Sequence, residues 1–180
     1  MDSLFSLAEG IRKCISCPLY KSRTLAVPGD GNSKAKLMVI AESPGEEEDR
    51  LGLPFVGKSG KFLDNLFDDI KIKKKDLFIT NAVKCRPPKN RTPFSKELKT
   101  CKQLWLDKQI EILKPKLILI LGRVALKSVL KETRINLTHG KILQRNGYKY
   151  FVTYHPAAAL RFPKIRKEME KDFKKLKKFI

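Results

Sequence analysis

Apolar residues gather in four short, nearly continuous runs: KLMVIAES (36–43), DLFITNAV (76–83), KLILILG (116–122) and YKYFVTYH (148–155). Runs of this length without polar alternation suit strands covered on both faces. Between them the apolar spacing becomes helical, over 58–69 (KSGKFLDNLFDD), over 95–113 behind a Ser95 N-cap, and over 123–131 behind Gly122; a basic helix closes the chain at 164–180. Strand–helix alternation predicts an α/β fold with three α/β/α layers around a central, mainly parallel four-stranded sheet. No repeat, low-complexity tract or linker divides the 180 residues, so one domain spanning 1–180 is expected.

An open parallel sheet binds ligands in the crevice beyond the carboxyl ends of its strands. The four ends carry Glu42-Ser43-Pro44-Gly45, Asn81, Gly122-Arg123 and His155-Pro156. A carboxylate, an amide and an imidazole should therefore meet on one rim, which makes a candidate active site.

Charge narrows the class of substrate. Lys and Arg number 39 against 19 Asp and Glu, a formal charge of +20, and the isoelectric point is near 9.9. An imbalance of this size attracts polyanions, nucleic acid first among them. A heat-adapted surface is the plainer alternative, but there the two signs usually rise together. The longest apolar run, LILILG (117–122), is far too short to span a membrane, and MDSLFSLAEGIRKC lacks a secretory signal pattern, so a cytoplasmic protein is expected. Disulfides are then out of place, and four cysteines spaced C-x2-C-x67-C-x15-C suggest a metal or cluster site at Cys14, Cys17, Cys85 and Cys101. Residue types alone leave zinc and iron–sulfur both open, and Cys101 can equally be a small buried apolar residue.

Each rim residue has two readings. Glu42 can activate water or cap a helix. Phe55 in LPFVG, just past the acidic run Glu46–Asp49, can stack a base or anchor its loop. Asn81 can read an amide-like edge or satisfy a turn. His155 can donate to a developing oxyanion or serve structure alone, and His139 reads as a surface turn residue. HPAAALRFP (155–163) suits close approach to a DNA backbone, or is simply the start of a helix.

Taken in order behind C-x2-C, the stretches AESPGEEED, LPFVGKSG, NAVKCRPPKNR and HPAAALR resemble the family 4 uracil-DNA glycosylases, the iron–sulfur type of bacteria and archaea. The resemblance implies a uracil-glycosylase fold and a [4Fe-4S] cluster on Cys14, Cys17, Cys85 and Cys101. It further implies excision of uracil flipped out of DNA, leaving an abasic site and opening base excision repair. By the same resemblance Glu42 positions the water, Phe55 stacks on uracil, Asn81 reads its edge, His155 stabilises the O2 anion, and Glu48 or a neighbour guards against the thymine methyl. Arg86, Lys89, Arg91 and Arg161 are expected at DNA phosphates.

The chain departs from the family pattern in places. The usual GEAPG reads AESPG, with Ala41 and Ser43 at the pocket edge, and Ser43 stands where other branches orient the water, so its hydroxyl is expected to share that work. Ala159 stands where a leucine is common, which moves the expected intercalating wedge to Leu160. KCRPPKNRTPF lacks the histidine-containing insertion of the covalently trapping relatives, which sets that branch aside. Two alternatives stay open: a glycosylase of the same fold acting on hypoxanthine or xanthine, and a basic DNA-binding module without catalysis. A monomer is expected, and the sequence does not decide whether a sliding-clamp partner exists.

Overall fold

A computed structural model describes residues 3–180. In chain order the elements are α1 (Leu4–Arg12), β1 (Asp30–Gly31), β2 (Leu37–Ala41), α2 (Glu46–Leu51), α3 (Lys58–Asp69), β3 (Leu77–Asn81), α4 (Ser95–Cys101) and α5 (Asp107–Leu113). There follow β4 (Leu117–Leu121), α6 (Arg123–Leu130), α7 (Ile135–Thr138), β5 (Ile142–Arg145), β6 (Tyr148–Thr153), α8 (Pro156–Arg161) and α9 (Pro163–Leu176).

The four apolar runs form the parallel centre of the sheet, in the order β3-β2-β4-β6. Alternate residues of β2 serve opposite cores, as a pleat requires. Leu37, Val39 and Ala41 pack with Phe62 and Leu66 of α3 and Phe173 of α9. Met38 and Ile40 pack with Ile110 of α5 and Leu126 of α6. Helices thus cover both faces of the sheet, giving the three expected layers. No helix among the described residues is long and apolar enough to cross a membrane.

Among the described residues the sheet has six strands, not four. Antiparallel β1 and β5 extend the two edges. β1 is a two-residue Asp-Gly pairing with no apolar signature. β5 is half exposed and joins β6 through Asn146-Gly147, both at positive φ, the two-residue turn that asparagine–glycine favours. The spelling RNGY carries that turn signal, which apolar runs alone do not show. α1 was likewise missed; a Ser3–Ser6 capping box starts it, and Leu7 and Ile11 bury its inner face. The expected helix 95–113 is interrupted by a π turn at Lys102–Leu106.

His139 is not the surface residue expected. Its Nδ1 lies 2.9 Å from Oδ2 of the fully buried Asp172, which also accepts from the Thr153 hydroxyl at 2.8 Å. This brace ties α9 to the end of β6, two residues before His155.

Candidate active site

The strand ends open into a cavity of about 480 Å³, the size of a small-ligand pocket. Glu42, Ser43, Phe55, Asn81 and His155 all line it, although they come from four separate stretches of chain. Asn81, 2% exposed, ends β3 on the face that also carries Leu77 and Ile79. Its side-chain amide has no hydrogen-bond partner among the described residues and opens into the cavity. Burial raises the Glu42 carboxyl above its ordinary pKa, and the charge of Arg123 opposes the rise.

His155 caps α8 through its ring. The Ala157 backbone N–H donates to Nδ1 at 3.1 Å, so the proton of the neutral imidazole resides on Nε2. Burial pushes the imidazole pKa down to about 4, against the pull of Glu48. The ring is therefore a neutral donor at physiological pH. Gly122 allows its approach: φ there is +91°, and an added Cβ would lie 2.9 Å from the His155 Cβ.

Phe55 faces His155 across the site, with ring centroids 6.2 Å apart and planes 26° from parallel. Its own φ is +53°, a costly conformation for phenylalanine, so its surroundings must hold it there. Glu48 does so. One carboxylate oxygen accepts from the N–H groups of Val56 and Gly57, each at 2.9 Å, and the other accepts from Gly45 at 3.1 Å. Gly60 supplies the space, since any Cβ there would meet the Phe55 carbonyl oxygen at 1.9 Å. Glu48, expected as a guard of the base, lines the cavity, and its oxygens are engaged in clamping the loop.

Not every expected residue reaches the cavity. Ala41 is wholly buried, pairs with Asn81 and points into the core with Leu37 and Val39, so it forms no part of the wall. Leu160 is 48% exposed but lies outside the cavity lining, whereas Arg161 and Phe162 line it, and Phe162 is 57% exposed at the break between α8 and α9. Phe162 was overlooked, although an aromatic between arginine and proline beside the rim histidine was there to be noticed.

The three basic residues of the loop after β3 behave differently from one another. Arg86 donates to the Asn90 amide at 2.8 Å and lies 3.5 Å from the Glu46 carboxylate. Arg91 grips Glu97 with two parallel bonds of 2.7 and 2.9 Å and lies over the Phe94 ring, which holds the Glu97 carboxyl below its usual pKa. Glu97 also accepts from the Phe94 N–H, so Arg91 is the strut of the loop. Lys89 is exposed, at φ +52°. Replacing Lys89 by alanine is expected to lessen the slope of log affinity against log salt on DNA by about 1. Arg91→Ala is expected to leave that slope near wild type and to lower the melting temperature, because it strands a buried carboxylate. Equal slopes for the two variants would contradict this division of labour.

All four cysteines line one other, largely apolar pocket, and none is disulfide-bonded. Arg23, unremarked in the sequence, donates to the Cys85 sulfur at 3.0 Å and to the Cys14 carbonyl at 2.8 Å, and the Trp105 indole N–H donates to the Cys14 sulfur at 3.3 Å. Burial raises the Cys101 thiol to about 12. Hydrogen-bond donors aimed at sulfur suit thiolate ligands, so the donor set fits a cysteine-held centre. Among the described residues, no three His, Cys, Asp or Glu side chains are grouped to hold a single metal ion.

A model of the uracil DNA glycosylase superfamily matches residues 28–177. The chain is 46% identical to a type-4 uracil-DNA glycosylase of Saccharolobus solfataricus, across 98% of this chain and 86% of that protein. It is 41% identical to one from Archaeoglobus fulgidus (98% and 92%) and 38% identical to one from Thermotoga maritima (97% and 93%). Relatedness at this level over nearly the whole length, with the ordered motifs seated around one cavity, places the chain in the uracil-DNA glycosylase superfamily, among the type-4 uracil-DNA glycosylases.

Proposed function

We propose that this chain hydrolyses the N-glycosidic bond of deoxyuridine in DNA, releasing uracil and leaving an abasic site. One observation carries the reading: a neutral imidazole with its proton fixed on Nε2, an unspent amide and a half-buried carboxylate line a single cavity. As the C1′–N1 bond breaks, the sugar gains oxocarbenium character and the electron pair leaves with the base. Nε2–H of His155 donates to the uracil O2, where that charge collects; a neutral donor suffices for an enolate-like anion. The Asn81 amide, donor and acceptor together, matches the uracil edge, and Phe55 offers its face to the ring. Glu42 orients water toward C1′, takes its proton as the new C–O bond forms, and Ser43 stands beside it. Extruding the nucleotide costs a few kcal/mol, least for a mispaired base, and the +20 charge draws the DNA in.

Cys14, Cys17, Cys85 and Cys101 would hold a [4Fe-4S] cluster. The four cysteines line one pocket, and Arg23 and Trp105 donate to two of their sulfurs, which supports the reading. When bound, the cluster would cross-link the turn after α1, the loop after β3 and the end of α4, and the hydrolysis needs no electron from it.

The test is single-turnover release from oligonucleotides carrying uracil, hypoxanthine or xanthine. Release of uracil foremost is expected. Preference for a purine would move the reading to another deaminated base, and DNA binding with no release would leave a binding module.

A further inference from the structure

Lys84 is a buried cation that the active site does not use, 1% exposed. Its Nζ donates to the Asn81 carbonyl at 2.9 Å, to Gln109 Oε1 at 2.6 Å and to Thr80 Oγ1 at 2.5 Å. The orientation of each acceptor is fixed. The Thr80 hydroxyl donates to the Pro28 carbonyl at 3.0 Å, and the Gln109 amide nitrogen donates to the same oxygen at 2.7 Å. Three acceptors around one nitrogen require three N–H bonds, which only the charged ammonium has. None of the three acceptors carries a charge. A buried charge is ordinarily paired or set against a metal centre, because desolvation alone is too costly.

Lys84 lines the cysteine pocket and immediately precedes Cys85 in the chain. Four thiolates outweigh the charge of a [4Fe-4S] core and leave the whole anionic. We propose that Lys84 is the charge partner of the cysteine-held centre and, through the Asn81 carbonyl, the positioning residue that ties this centre to the base-reading strand end. The proposal rests on the cluster assignment above. It accounts for a lysine at full burial directly between Asn81 and Cys85. Arg23 meets Cys85 as a second cation, but it is only part-buried and bonds to no atom of β3.

The full chain, purified without oxygen, would be compared with Lys84→Met and with Gln109→Glu, the latter a nearly isosteric change that hands the ammonium a carboxylate. Wild type is expected to contain iron and to absorb in the visible. In Lys84→Met, chelator-driven loss of that absorbance is expected to be about 10- to 100-fold faster, the usual penalty for losing an outer-shell partner. The reduction potential is expected to fall in both variants, since a cation near the centre is removed or neutralised, and inhibition by free uracil to weaken in Lys84→Met. Gln109→Glu keeps the potential measurable should Lys84→Met fail to accumulate. Iron-loaded variants with wild-type potential and bleaching rate would overturn the role of Lys84. Wild type without iron would overturn the cluster assignment, a different and separately visible failure.

Discussion

His155→Ala is expected to slow single-turnover uracil release by about 10²- to 10³-fold, the usual loss when one donor to a developing anion is removed, with DNA affinity close to wild type. The donor acts where charge appears in the transition state, and Lys89, the exposed cation expected to meet phosphate, lies outside the cavity lining. Equal losses of rate and affinity would make His155 a structural residue. The pH dependence follows from the same geometry. With the imidazole pKa near 4, the ring stays neutral from pH 5 to 8 and its titration should leave no inflection near 6.5 in the rate. The acid limb is instead expected from Glu42, whose carboxyl, raised by burial, must ionise to take the proton of water. Stability carries the matching sign. The folded state binds the His155 proton less readily than the unfolded chain, so the contribution of the neutral ring is complete above about pH 6.5 and is lost as pH falls through about 4.

Glu48→Ala should have the next largest effect. It strands three backbone N–H groups, those of Gly45, Val56 and Gly57, and releases Phe55 from a backbone conformation it does not favour. An unsatisfied donor costs about 1–3 kcal/mol when fully buried and less at these part-buried positions. Loss of the loop geometry is expected to lower kcat/KM on uracil-containing DNA by about 10²-fold, as misplacement of a positioning group commonly does. Glu48→Gln keeps the shape and one acceptor oxygen and should fall between. If Glu48→Ala gains activity on thymine with its uracil activity intact, the residue guards the base and does not clamp the loop.

The parallel core was legible because fully buried strands write continuous apolar runs, and the rim residues were legible because strand ends in such a sheet must converge. Edge strands β1 and β5 left weaker marks, since half-exposed pairings need little apolar surface. The least legible residues were long and charged. Lys84 sits in a basic stretch and Glu48 in an acidic run, and both spellings suggest solvent. Arg91 and Lys89 look alike in sequence, yet one is fastened to a carboxylate buried in α4 and the other is exposed. A charged side chain's destination is set by partners far along the chain: Lys84 finds Gln109, Arg23 finds Cys85 and His139 finds Asp172. Residue type and spacing do not encode those meetings. His155 lay between the extremes. Its place at a strand end was readable, but its tautomer depended on the Ala157 N–H, a backbone detail that only the start of α8 fixes.

A crystal structure of the protein with free uracil tests the central claim most directly. The account expects the base in the strand-end cavity, its face on Phe55, its polar edge on the Asn81 amide and its O2 toward His155 Nε2. Uracil bound elsewhere, or with O2 turned away from His155, would contradict it.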